Sequence, residues 1–377
     1  MNKVYITNIA KFLPNAPVSN DEMEDILGKI NDTNSKSRRL ILRNNQITTR
    51  YYALSADGQP THTNADLTAL AIKNLFSNRF QVTDIDVLSC GTSTPDQLLP
   101  SHAAMVHGVL GGKSMEVNSA SGVCVSGMNA LKYGYMAVKS DMANNAVCTG
   151  SERVSTWMQA GKFEAEVENL KTIEEQPIIA FKKDFLRWML SDGAGAVLLE
   201  NQPNGAINLE INWMESYSYA YELEACMYAG GDKLEDGSIK PWSNYQPKEW
   251  IEQSIFSIKQ DVKILDIHIL KKGVESMADA MKKHNITPND IDYFLPHVSS
   301  HYFVDGLYNG FVEAGLEITK DKWFMNLAHV GNVGSASIFL MLEELYHSGK
   351  LKKGDRIMCS VPESGRFSYA YAYLTVC

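Results

Sequence analysis

The 377-residue chain carries 35 Lys and Arg against 44 Asp and Glu, a net charge of −9, which argues against the broad positive field that nucleic-acid binding needs. At 45% hydrophobic and 21% charged it has the material for a large core rather than a disordered tail, and its length suggests two intimately packed halves. No run reaches the ~18 consecutive apolar residues of a membrane-spanning helix, and six scattered cysteines without a C-x-x-C pair disfavour a zinc ribbon, a thioredoxin-type site or a disulfide scaffold.

The opening residues Met1–Asn8 lack the apolar core of a signal peptide and read as a first strand. Asn64–Ser77 has apolar residues at three-to-four spacing and predicts an amphipathic helix. Asp84–Ser89 predicts a strand that runs into Cys90–Thr94. Met115–Asn118 predicts a strand, followed by a small-residue loop, the helix Met128–Lys139 and the short strand Asn145–Cys148. From about Thr156 to Lys183 the chain carries Glu164, Glu166, Glu168, Glu174 and Glu175 with no clean strand pattern. It reads as an insertion, of a kind that often covers active sites.

The rest of the chain repeats this order. The helix Lys271–Lys283 precedes the strand Asp290–Leu295, which runs into Pro296–Ser300. Phe324–Leu327 then leads through a second small-residue loop to the helix Ser337–Leu345 and the strand Arg356–Cys359. The repeat predicts an α/β fold of two duplicated βαβαβ halves, residues 1–200 and 201–377, with the insertion at 156–183 in the first. Each half has a parallel sheet covered by helices.

One cysteine stands apart. Asn118–Gly127 crowds small residues around Cys124 at a strand-to-helix junction. A helix N-terminus there would stabilise a thiolate and lower the thiol pKa, making a nucleophile; a small Cys in tight packing is the alternative. A nucleophilic thiol needs a partner. In the duplicated frame His297 follows the strand that matches Val87–Cys90. Asn332, within Gly331–Ser337, occupies the junction that matches the one at Cys124. Topology therefore predicts that Cys124, His297 and Asn332 meet at the centre, and the other five cysteines read as structural.

These residues resemble the thiolase superfamily, and most of all its β-ketoacyl-acyl-carrier-protein synthase III branch, over nearly the whole chain. The Cys124 loop resembles the nucleophile motif, and Leu190–Leu198 resembles G-D-G-A-G-A-V. Gly331-Asn332 resembles the start of G-N-T-S-A-A-S, Leu351–Asp355 resembles L-K-x-G-D, and Arg43–Arg50 resembles R-T-G-I-x-x-R. The resemblance implies a thiolase fold, a five-layered αβαβα sandwich, in a cytoplasmic homodimer. It implies that Cys124 is acylated by a thioester and that His297 and Asn332 hold the carbonyl oxygen of a second thioester. Backbone N–H groups of Cys124 and Gly365 would form the oxyanion hole, and no metal or redox cofactor is required. The partners would be acyl thioesters on an acidic acyl carrier protein or on coenzyme A. Two basic segments could meet that carrier: one with Lys36, Arg38, Arg39, Arg43 and Arg50, the other with Lys271, Lys272, Lys282 and Lys283. Ordinary solvated helix faces are the plain alternative.

The chain also departs from the pattern. The family's H-Q-A-N is His297-Val298-Ser299-Ser300 here, and its G-G-G-F is Ser364-Gly365-Arg366-Phe367. Leu99, before Pro100-Ser101, stands where the family places a residue that closes the acyl tunnel across the dimer interface. These departures resemble the specialised ketosynthases of dialkylresorcinol and flexirubin-type pathways. That implies joining a β-ketoacyl and an α,β-unsaturated acyl thioester into a cyclohexanedione-type product. Deprotonation would replace decarboxylation and require a general base, His297 first and Glu152 second. The alternatives are fatty-acid initiation with malonyl-carrier, acyl transfer to oxygen or nitrogen, and a non-catalytic partner subunit.

Overall fold

The computed structural model describes residues 2–30, 35, 38–162 and 186–377. Most of the charged insertion, with its five glutamates, and Lys36 of the first basic segment lie outside the described residues. Five strands come from the first half: β1 (Tyr5–Phe12), β2 (Val87–Thr92), β3 (Glu116–Ser121), β4 (Asn145–Glu152) and β5 (Gly193–Glu200). Four come from the second: β6 (Leu209–Ser218), β7 (Tyr293–Pro296), β8 (Arg356–Glu363) and β9 (Ser368–Val376). They hydrogen-bond in the order β7-β8-β9-β6-β1-β5-β4-β2-β3. In the first half β3, β2 and β4 run parallel, and β5 and β1 follow antiparallel. In the second, β7 and β8 run parallel, and β9 and β6 follow antiparallel. The same pattern is laid down twice, and the halves join where Tyr5 and Ile6 of β1 face Glu210 and Leu209 of β6.

Six helices form three layers around this sheet. On the outside of the first half lie α1 (Asn64–Lys73) and α2 (His102–Leu110). In the centre lies α3 (Val125–Lys139). On the outside of the second half lie α4 (Val262–Lys283) and α5 (Tyr302–Glu313), while α6 (Ser337–His347) joins α3 in the centre. The central helices touch strands of both halves, which makes the αβαβα sandwich. Composition explains their place. Ser337 to Leu342 of α6 are all buried, so this first stretch of the helix has no polar face to turn to water. Each large side chain buried in that run contributes roughly 1.5–3 kcal/mol.

Local chemistry sets the helix starts. Thr63 and Asp66 form a reciprocal capping box on α1, with backbone-to-side-chain distances of 3.0 and 2.9 Å. The Asp261 carboxylate caps Lys263 and Ile264 at the start of α4, so this helix begins well before the expected Lys271. The second half also corrects one expectation. Where the first half has the full strand β3, the second has a single parallel bridge between Phe294 and Trp323, followed by the short helical turn Leu327–Val330. The indole of Trp323 packs edge-on against Phe294 there, so a side-chain contact stands in for the strand.

Candidate active site

The two central helices approach through glycine. A Cβ on Gly127 or on Gly150 would lie 2.3 Å from the backbone oxygen of Ser335. Ser335 Oγ donates to the Ser151 carbonyl at 2.9 Å. These contacts seat the loop before α6 against the start of α3. Asn332 is fixed from both sides by the segment that resembled G-D-G-A-G-A-V: its N–H donates to Met189 O at 2.9 Å, and Ser191 N–H donates to its carbonyl at 2.9 Å. That segment is anchored in turn by buried Asp192, which accepts the N–H groups of Ala53, Val154 and Ser155. His297 follows β7, and its N–H donates to Ser360 O on β8 at 2.8 Å.

Cys124, His297 and Asn332 line one cavity of about 1090 Å³, part of it open to solvent. All three are buried. Burial pushes the Cys124 thiol up, and the nearby Glu363 and Glu152 push it further. The expected thiolate at a helix N-terminus is therefore not the resting state. The N–H of Val125, the first residue of α3, is taken by the Glu363 carboxylate at 3.2 Å. Burial pushes His297 down to about 4, so its imidazole is neutral. Asn332 Oδ1 accepts the Gly334 N–H at 3.0 Å, which leaves its Nδ2 to donate. A neutral imidazole and an amide N–H₂ on one cavity wall suit a thioester carbonyl that is turning into an enolate.

The other expected residues divide. Glu152 lines the cavity, but its oxygens accept from Ser93 N and Oγ, Thr94 Oγ1 and Ser335 N, so it ties two loops to the end of β4. Burial raises its pKa while those same partners lower it. Gly365 sits beside the nucleophile loop: a Cβ there would come 3.1 Å from Val123 Cγ2. No hydrogen bond engages the N–H of Gly365 among the described residues, and the N–H of Cys124 faces only its own sulfur. Leu99 is 85% exposed and is absent from the cavity wall of its own chain, so any part it plays requires a second copy. Arg39 and Arg43 are exposed on the helix Arg38–Asn45, also away from the cavity. Lys272 and Lys283 already pair with glutamates.

The sequence reading missed the far wall. Leu265, Ile269, Leu270, Leu307 and Phe311 on α4 and α5, with Met227 and Ile258, make it apolar. Gln260 is the exception: it is 6% exposed and its Oε1 has no partner among the described residues. An unsatisfied buried amide costs about 1–3 kcal/mol. Gln260→Leu should therefore raise the melting temperature of the ligand-free protein by roughly 2–4 °C. A lower melting temperature would show that the amide is satisfied. Among the described residues no group of three His, Cys, Asp or Glu side chains could hold a metal ion, and no helix is long and apolar enough to cross a membrane.

Residues 281–372 match the family described as 3-oxoacyl-[acyl-carrier-protein (ACP)] synthase III C terminal. The β-ketoacyl-[acyl-carrier-protein] synthase III of Chlorobaculum tepidum is 26% identical over 369 residues, covering 94% of each chain. Among solved structures, the tetronic acid condensing enzyme AbyA1 superposes with a TM-score of 0.76 at 20% identity, covering 99% of both chains. OleA of Xanthomonas campestris superposes with a TM-score of 0.76 at 18% identity, over 99% of this chain and 98% of that one. The fold is therefore the thiolase fold, and over nearly its whole length the chain is similar in sequence to β-ketoacyl-[acyl-carrier-protein] synthases III.

Proposed function

We propose that the chain is a ketosynthase that joins two acyl thioesters through an acyl-Cys124 intermediate, with His297 and Asn332 holding the enolate oxygen of the second thioester. The observation that carries this reading is the cavity. One thiol, one neutral imidazole and one amide with a spare N–H₂ line a largely apolar chamber able to take an acyl chain. Loading by an acyl carrier protein in the cytoplasm, from within a homodimer, is part of the proposal. The exposed edge strand β3, with Val117, and the exposed Leu98 and Leu99 supply apolar surface for a second copy.

The second substrate is a β-ketoacyl thioester, joined to an α,β-unsaturated acyl group on Cys124 and cyclised to a cyclohexanedione-type precursor of dialkylresorcinols. Support comes from the altered His297-Val298-Ser299-Ser300 and Ser364–Phe367 segments, and from the placement of Glu363 beside the nucleophile. The names of the curated relatives favour a second reading, decarboxylative condensation with malonyl-carrier. Product analysis separates the two. Purified protein given β-ketoacyl and α,β-unsaturated acyl thioesters should release a cyclic product whose mass retains every carbon of both acyl groups. A linear β-ketoacyl thioester and carbon dioxide, formed only when malonyl-carrier is supplied, would establish the second reading instead.

A further inference from the structure

Glu363 ends β8 and reaches across to the nucleophile loop. The N–H groups of Val123 and Val125, on either side of Cys124, donate to its Oε2 at 2.9 and 3.2 Å. Its Oε1 accepts no hydrogen bond among the described residues. It lies against the oxyanion loop, where a Cβ on Gly365 would come within 3.1 Å of it. The neighbours of Glu363 in sequence, Pro362 and Ser364, both line the cavity. The carboxylate therefore stands between Cys124 and Gly365, half engaged and half free.

The acid–base groups on the cavity wall itself, Glu152 and His297, are poorer proton acceptors. The oxygens of Glu152 are occupied by Ser93, Thr94 and Ser335. His297 is held near 4 by burial, which makes it a weak base. Burial raises the carboxyl of Glu363 above its ordinary value, toward the range of a working base.

We propose that Glu363 is the acid–base group of this site and carries protons between the Cys124 thiol and the substrates; the second step of this proposal rests on the non-decarboxylative reading above. In loading, the Cys124 S–H proton passes to Glu363 while the sulfur attacks the thioester carbonyl. The bond to the carrier thiol breaks, and the departing thiolate takes the proton from Glu363. In condensation, Glu363 removes the α-proton of the β-ketoacyl thioester, and the electron pair moves to the carbonyl oxygen held by His297 and Asn332. The α-carbon attacks the acyl carbonyl, the C–C bond forms, and the bond to Cys124 breaks. The Cys124 thiolate then recovers the proton from Glu363. Each cycle balances without an outside acid or base. An ionised Glu363 would also repel the carboxylate of a malonyl group, which a decarboxylating enzyme must accept.

Glu363→Gln tests this, because the amide oxygen still accepts both N–H groups and keeps α3 capped. The variant should melt with the wild type. Its loading of Cys124 by a saturated acyl-pantetheine thioester, followed by intact mass, should slow about 100-fold or more, with Glu363→Asp between the two. Loading at the wild-type rate in a folded Glu363→Gln protein overturns the proposal. A measurement on otherwise intact protein guards against misfolding. Cys124→Ala should still catalyse exchange of the α-hydrogens of a β-ketoacyl-pantetheine thioester with deuterated water, and no exchange above the uncatalysed rate overturns the second step. The loading assay uses one thioester and no second substrate. A decarboxylated product would therefore sink the non-decarboxylative reading and leave the loading result standing.

Discussion

Cys124→Ala should leave the protein without an acyl adduct and lower turnover by roughly 10⁴–10⁶-fold, the loss expected when a covalent nucleophile is removed. Cys124 is the one thiol in the cavity wall among the described residues, and the serine hydroxyls that share the wall, Ser93, Ser299, Ser360 and Ser364, are far weaker nucleophiles at neutral pH. The substitution removes a single sulfur at the N-cap of α3 and breaks no hydrogen bond that holds the loop. Those bonds run from Val123 and Val125 to Glu363 and from Ser126 to the Val123 carbonyl. Circular dichroism and the melting temperature should therefore match the wild type while intact mass after incubation with an acyl thioester shows no gain. An adduct that persists in Cys124→Ala would move the nucleophile elsewhere and undo the assignment. The raised thiol pKa adds a second expectation. Alkylation of free Cys124 by iodoacetamide should be slow at neutral pH, because burial and two neighbouring carboxyls oppose the thiolate.

The placement of Cys124, His297 and Asn332 was legible because duplication is a sequence-level signal. Two strands of matched register and two small-residue loops of matched spacing have one compact arrangement, in which the loops meet between the sheets. Glycine made the approach readable as well, since only Gly127 and Gly150 can tolerate the Ser335 carbonyl so close. The thiol pKa was misread for a physical reason. A helix N-terminus stabilises an anion only while its N–H groups are free, and a residue 240 positions away from Val123 in sequence supplies the competing carboxylate. No local pattern around Cys124 carries that information; the signal lay in Glu363, next to the departed glycine-rich turn. The apolar wall was missed because Met227 and Gln260 come from two-residue strands with no periodicity and Ile258 from the loop before one of them, and because α4 extends nine residues ahead of its most regular stretch. Its early turns, which carry Leu265 and Ile269, were not recognised as helix.

His297→Ala and Asn332→Ala should each load Cys124 at close to the wild-type rate yet slow condensation by about 10²–10³-fold, the effect of deleting one preorganised donor to a developing oxyanion. The two side chains are suited to that step and poorly suited to loading. The ring of His297 makes no hydrogen bond with the protein among the described residues, and with a pKa pushed down to about 4 it stays neutral through the physiological range. It can donate one N–H to an oxygen without bringing a charge into the apolar chamber. Asn332 is held more firmly, since Gly334 N–H and the backbone bonds to Met189 and Ser191 fix its direction, so its Nδ2 is preorganised. Asn332→Asp is the sharper variant. It keeps the shape and the bond from Gly334 but replaces a donor with an acceptor, and a carboxylate facing an enolate oxygen should slow condensation more than Asn332→Ala does. The double variant His297→Ala/Asn332→Ala should lose less than the product of the single losses, because both donors serve one oxygen and either loss already lets water compete for it. The readout is a pair of rates from the same preparation, adduct formation by intact mass and product release by chromatography. A variant that loses both rates equally would place its side chain in loading. A variant that loses neither would return the enolate to other groups in the cavity and leave the pairing of His297 with Asn332 a matter of fold alone.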